Sequence, residues 1–376
     1  MSIHPKILFD NERQSLDFIK QSIDSEIEKG IQGVTFLLGK NYEHSQDSLD
    51  AFLQSLTIPV SGAIFPEVIY NNDYHDDAII AILWYAKPEI KTFRNISDDD
   101  SELYEHQAEG RDASASMTSL VFMDTTTRIS EAALDALYYR NGDQYQYAGA
   151  GAGFADGTNR ACILCSDGVV SDSLQVTCLP FTQQNYVGHG WSILSGPHLV
   201  TTAEENRVMS LDYQPIEPYI REKIQQNHSE DLSNMEFQKL VSRFPIGIQP
   251  YDEDMLVRDP LKFVDGALHF IGDIPEFSNI YVLSGEPETL LSYVENNLSH
   301  FDSEDSAQSS LSFIFSCIGR RFHMGAKSDD ELKTLSKSLK SGNTVIGTSS
   351  LGEIASNNAG LARLHSMSLV VSSLSV

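Results

Sequence analysis

Cysteine is scarce in this chain, with four in 376 residues, and so few cannot form the disulfide framework of a small secreted scaffold. Basic residues are scarce too. Lys and Arg number 26 against 53 Asp and Glu, a formal net charge of -27. Such a field repels phosphate backbones and anionic lipid headgroups, which argues against nucleic-acid and membrane-surface partners. Long apolar runs are missing as well: the longest, Ala78 to Ala86 (AIIAILWYA), is too short to span a bilayer as a helix and reads as a buried strand. The opening MSIHPKILFDNERQ has no basic stretch followed by an apolar one, so no signal peptide is expected and cytoplasmic residence is. No G-x-S-x-G, H-E-x-x-H, P-loop or kinase signature occurs, and no enzyme is expected.

The remaining composition is that of a globular protein, 41% hydrophobic and 21% charged, and the length suggests two domains. Leu16, Ile19, Ile23 and Ile27 fall on one face of a helix over 11–29, with Gly30 as its stop. GVTFLLG (33–39) reads as a buried strand, and Leu49, Phe52, Leu53 and Leu56 return to helical spacing behind Ser45 as N-cap. TIPVSGAIFP and the run at 78–86 follow as strands. The alternation predicts α/β layers with some parallel pairing.

The acidic stretch 97–114 reads as an exposed loop. Beyond it come a strand at Ser119–Asp124 and a helix at Ser130–Arg140, closed by Asn141-Gly142. From Tyr145 the texture is β-rich, and YQPIEP (213–218) marks a break before a helix that starts at Ile216. The expected architecture is mixed α+β, with domains at 1–213 and 214–376 and mixed, stacked sheets flanked by helices. No short-period repeat is visible. A small-residue turn before a Gly-rich segment recurs in both halves, which is too little to call a duplication.

Three features invite chemistry. The glycines of 148–153 (AGAGAG) lack the Lys-Ser/Thr of a phosphate loop, and close strand packing explains them better. Cys162 and Cys165 form a C-x-x-C that on a helix or loop would suit zinc or redox chemistry. In the strand-like ACILCS they point to opposite faces, and two structural thiols are the favoured reading. His189 stands between glycines in Tyr186-Val187-Gly188-His189-Gly190-Trp191, where an imidazole between apolar walls could ligate a b-type haem. A hairpin-turn histidine is the competing reading, and His198 in Gly196-Pro197-His198 is the second candidate.

Several segments resemble, in order, the FIST family of bacterial sensory domains. They are IPVSGAIFPEVIY (58–70), YAGAGAGFADG (147–157), GHGWSILSGPHLVTTAEENRVMSLD (188–212), PIEPYI (215–220), LVRDP (256–260), FSCIGRRFHMG (315–325) and GTSSLGEI (347–354). The resemblance implies an N-terminal and a C-terminal FIST domain and a small-ligand sensory role. The chain is similar to stand-alone members of the NosP type, which are nitric-oxide-sensing haemoproteins. That likeness implies haem b held by His189, or alternatively His198, beside Tyr186 and Trp191. It also implies a partner sensor histidine kinase in cyclic-di-GMP or biofilm signalling, and it allows a homodimer. Two further readings stand beside it. One is a metal-free module sensing an amino acid or other metabolite through Arg160, Asp167 and Glu353; the other is a thiol-redox enzyme using Cys162 and Cys165. The chain departs from the family pattern at Gly190–Gly196 (GWSILSG) and at Ser366, where relatives carry Asn.

Overall fold

The computed structural model describes residues 4–375 apart from 13–14, 43, 99, 106–116, 126–129, 142–144, 251–253, 299–308, 340–342 and 358–359. Gly142 and much of the acidic 97–114 stretch therefore lie outside the described residues.

The chain is built from three consecutive units of one plan. The first comprises β1 (Lys6–Asp10), α1 (Leu16–Ile27), β2 (Gly33–Gly39), α2 (Gln46–Gln54), β3 (Val60–Phe65), a hairpin of β4 (Glu67–Tyr70) and β5 (Asp73–His75), and β6 (Ile79–Trp84). The second keeps the strand order, without an α-helix between its first two strands among the described residues: β7 (Glu89–Arg94), β8 (Met117–Asp124), α3 (Ser130–Asn141), β9 (Tyr145–Ala152), a hairpin of β10 (Ile163–Cys165) and β11 (Gly168–Val170), and β12 (Ser173–Leu179).

The third begins at β13 (Thr182–Gly188) and carries a large insertion. The inserted module holds β14 (Ser192–Glu204), β15 (Arg207–Leu211), β16 (Gln214–Pro215), α4 (Ile216–Asn227), α5 (Phe237–Arg243), β17 (Ile246–Ile248), β18 (Leu256–Arg258), β19 (Pro260–Val264), β20 (Ala267–Phe270) and β21 (Asn279–Ser284). The unit resumes with α6 (Pro287–Leu298), β22 (Ser309–Cys317), α7 (Ile318–Met324), α8 (Lys327–Ser338), β23 (Thr344–Ser350), a hairpin of β24 (Glu353–Ser356) and β25 (Ala362–His365), and β26 (Leu369–Ser375).

Three six-stranded sheets follow, with the orders β11-β10-β3-β2-β6-β1, β25-β24-β9-β8-β12-β7 and β5-β4-β23-β22-β26-β13. In each, the central pair is parallel and the returning strand antiparallel. Each hairpin leaves its own unit: the first unit's joins the third sheet, the second's the first, and the third's the second. The register repeats as well. Phe36 faces Gly62 and Ala81, Val121 faces Gly149 and Val176, and Ile314 faces Gly347 and Val371. The three glycines share one cause. A Cβ at Gly62, Gly149 or Gly347 would stand 2.2, 1.8 or 1.8 Å from the carbonyl oxygen of Phe36, Val121 or Ile314.

Local sequence accounts for the elements. Ser15 and Ser45 cap α1 and α2 by accepting from the N–H of Phe18 and Ser48, and Leu16, Ile19 and Ile23 turn inward. The apolar run at 79–84 is the fully buried β6. The largest core joins all three units, with Phe36, Phe65, Phe122, Ala150, Phe313 and Phe315 among its members. The mixed α+β architecture expected from the sequence is present. The boundary expected after residue 213 falls inside the inserted module, between the paired β15 and β16, so the sheets do not follow it.

Candidate functional site

The inserted module and the third unit meet over the C-terminal ends of β22 and β23. Strand ends of a parallel pair expose backbone groups and turns, which makes them natural places for a ligand. Cys317 closes β22, and Gly319 and Arg320 open α7. From the module, the link between β18 and β19 delivers Asp259 onto this surface. A Cβ on Gly319 would lie 2.2 Å from Asp259 Oδ2, so the carboxyl fits only because that position is bare. The residue as a whole keeps partial exposure, but its carboxyl is enclosed and has no hydrogen-bond or ionic partner among the described residues. Burial alone pushes it up to about 7.

A second carboxyl lies below. Glu353, fully buried at the start of β24, accepts from Ser350 Oγ at 2.8 Å and Ser368 Oγ at 2.7 Å. Burial raises its pKa, opposed by those two hydroxyls and by Arg320. The Cys317 thiol feels both Glu353 and Asp259, and burial pushes it well above its usual value.

The turn Ser366-Met367-Ser368 ties the floor together. Cys317 N–H donates to the Ser368 carbonyl at 3.2 Å, and the Trp191 indole donates to the Met367 carbonyl at 2.9 Å. Ser366 is fully buried and its hydroxyl has no partner among the described residues. Arg320 is fully buried as well. It grips Glu331 through Nε at 3.2 Å and Nη2 at 2.7 Å, and its Nη1 donates to the His189 carbonyl.

Three of the four side chains expected to line a cofactor pocket thus surround Arg320. The His189 ring stacks on Tyr293 at 6.2 Å, Trp191 packs against His323 at 4.8 Å, and Tyr186 lies within electrostatic reach of Arg320 and Tyr293. His198 is elsewhere, in the core of the module, with Tyr219 and Ser195 as neighbours.

The FIST N domain model matches residues 34–214 and the FIST C domain model residues 220–356. The chain belongs to the FIST family. FIST domains are small-ligand sensory modules of signalling proteins rather than catalytic ones. No curated protein matches the chain. Among the described residues, no helix is long and apolar enough to cross a membrane.

Neither of the two candidate histidines of this FIST chain is set up to ligate haem iron. His189 Nδ1 accepts the Trp191 N–H at 3.0 Å, so in the neutral ring the proton sits on Nε2 and leaves no lone pair there. An axial histidine has the reverse arrangement, with Nδ1–H donating and Nε2 on the metal. Burial and the Arg320 cation lower the His189 pKa to about 4, so the ring is neutral at physiological pH. Both nitrogens of His198 are engaged, Nδ1 with Tyr219 Oη at 2.8 Å and Nε2 with Ser195 Oγ at 2.9 Å. Among the described residues no group of three His, Cys, Asp or Glu could hold a metal ion.

The other sequence candidates separate. Arg160 is exposed, bonded to Asp156 and stacked over Phe154, and Asp167 is an exposed partner of Arg94. Neither contacts Glu353, the one member of that trio at the junction. Cys162 bonds to Asp124, whereas the Cys165 thiol donates to the Gly168 carbonyl. None of the four cysteines is in a disulfide. Asp259, Cys317 and Arg320 lie in LVRDP and FSCIGRRFHMG, two of the segments that carry the family resemblance, but neither spells a known chemistry. What marks them is position, an acid in the Arg-Asp-Pro break between short strands and a Cys-x-Gly-Arg at a strand-to-helix turn.

Proposed function

We propose that this FIST protein is a metal-free sensor of a small metabolite bearing a cationic nitrogen, seated between the inserted module and the third unit. The observation that carries this is the Asp259 carboxyl, held against the bare Gly319 without a partner among the described residues. An enclosed carboxyl is kept neutral by desolvation, and an ammonium or guanidinium beside it restores the charged form. Amino acids and simple amines meet that requirement. Such a ligand would join Asp259 of the module to the Cys317–Arg320 segment of the third unit. A closed arrangement of module and unit would then bind it more tightly than an open one. This difference in affinity is what shifts a two-state equilibrium, and a partner protein would receive the change. The sensor histidine kinase implied by the sequence resemblance is the receiver we favour.

Thermal-shift measurements with a panel of amines and amino acids test the reading, since a ligand that prefers the native state raises Tm. Wild type should respond to at least one amine and Asp259→Asn should not. A response confined to anionic metabolites would overturn it. For the haem-bound nitric-oxide reading, the corresponding test is the absorption spectrum after haem reconstitution. A Soret band that His189→Ala abolishes would replace the proposal made here.

A further inference from the structure

His198 leads to a second surface, on the module. β14 pairs with β21 as far as Leu199 and with β15 from Val200 onward, so the sheet changes partners at this point. Two tight turns flank the change. In one, Asp212 and Tyr213 have φ of 46° and 63°; in the other, Phe277 has φ of 62°. Left-handed backbone is uncommon outside glycine and unfavourable for bulky residues, so surrounding bonds must hold it.

Those bonds are present. The Asp212 carboxylate accepts from the Leu199 N–H at 3.1 Å and from the Tyr219 hydroxyl, which His198 Nδ1 approaches at 2.8 Å. Tyr213 N–H donates to Thr201 Oγ1 at 3.0 Å, and Phe277 N–H to the Val200 carbonyl at 2.8 Å. Both aromatics are therefore pinned to adjacent residues of β14, in the turns that adjoin the two strands flanking it, roughly 10 Å apart at ordinary strand spacing.

Neither ring serves the core. Tyr213 is 83% and Phe277 71% exposed. Glycine or asparagine would occupy both turns with less strain and no exposed apolar surface. Rings held in water on strained backbone, over a hydrogen-bonded support, mark an interaction surface.

Charge selects the partner. Each ring directly follows an acid, Asp212 or Glu276. The nearby cations Arg207 and Lys223 are already paired with Glu204 and Glu222. An aromatic face beside a carboxylate suits a guanidinium or ammonium group. We propose that Tyr213 and Phe277 dock an arginine- or lysine-rich segment of a signalling partner protein. This surface requires no ligand at Asp259 and stands independently of the ligand reading.

The test uses the full chain and a fluorescent peptide of alternating Arg and Gly, followed by anisotropy at about 150 mM salt, where long-range attraction to the acidic surface is screened. The paired variant Tyr213→Asn with Phe277→Asn keeps the charge and suits the turns. It should bind the peptide about tenfold more weakly, the loss expected for two cation–aromatic contacts. Its Tm should be equal to wild type or higher, because strain is relieved. Unchanged affinity would mean general charge attraction and overturn the proposal. A marked fall in Tm would make the rings structural and do the same. Ring-dependent binding to phosphatidylcholine vesicles, without peptide binding, would assign the surface to lipid and also overturn it.

Discussion

Replacing Asp259 by Asn should remove a dependence of stability on pH that the wild type carries. Burial moves this carboxyl from its ordinary 3.8 to about 7 in the folded protein. Below about pH 4 both folded and unfolded chains hold the proton, and the contribution to stability is fully present. Between about pH 4 and pH 7 the unfolded chain releases the proton while the folded one keeps it, so stability falls as pH rises. Above the folded value both states are ionised and the loss is complete. A shift of roughly three pKa units at about 1.36 kcal/mol each sets the upper size of the effect at about 4 kcal/mol. Asn preserves the shape and never ionises. The variant should match wild type near pH 4 and exceed it near pH 8 by up to about 4 kcal/mol. Glu353, also raised by burial, remains in both proteins, and the Cys317 thiol, which burial holds well above its usual value, stays protonated over this range in both. Urea midpoints at pH 5, 6, 7 and 8 measure the difference. Parallel curves would show that the carboxyl is solvated or already paired, and the account of the site would fail. A cationic ligand should close the gap at pH 8 by stabilising wild type alone.

Gly149→Ala and Gly347→Ala each place a methyl 1.8 Å from a carbonyl oxygen of the neighbouring parallel strand. Each should cost about 3 kcal/mol or more, and wild-type denaturation midpoints would refute the shared packing role. Glu331→Gln leaves the buried Arg320 without its counter-charge and should cost about 3–5 kcal/mol, of which Arg320→Met with Glu331→Leu should recover part. Expressed separately, 1–213 and 214–376 should both fail to fold, because β4, β5 and β13 belong to the third sheet and β24 and β25 to the second. Circular dichroism and size exclusion would show a compact, cooperative 1–213 if that is wrong.

Much of the local structure was legible because its cause is local. Ser15 and Ser45 cap helices by the bonds their side chains make to nearby N–H groups, and Ile79–Trp84 is apolar throughout because both faces of β6 are covered. The glycines of 148–153 were correctly attributed to close strand packing, and Gly149 shows the approach. At the candidate site, Trp191, His189 and Glu353 were visible as residues but not as neighbours, because Arg320, Met367 and Ser368 bring them together from distant segments. The haem expectation followed from glycines and aromatics around His189. What speaks against His189 as its ligand is one hydrogen bond, Trp191 N–H to Nδ1, that residue types do not reveal.

The threefold plan was hidden for a different reason. Topology constrains hydrogen bonds and register, which any apolar side chains satisfy, so Phe36, Val121 and Ile314 can share one position without sharing an identity. Only where backbone geometry forbids a Cβ does the residue itself repeat, at Gly62, Gly149 and Gly347. A single invariant position per unit is far below what sequence comparison can register. The insertion of the module from Ser192 to Ser284 into the third unit alone then breaks the spacing between the copies. That same asymmetry places the proposed site. Equivalent strand ends exist three times, at Gly39, Asp124 and Cys317, but the module brings a partnerless carboxyl to Cys317 alone. The repeated units supply the frame, and the inserted module supplies the proposed chemistry.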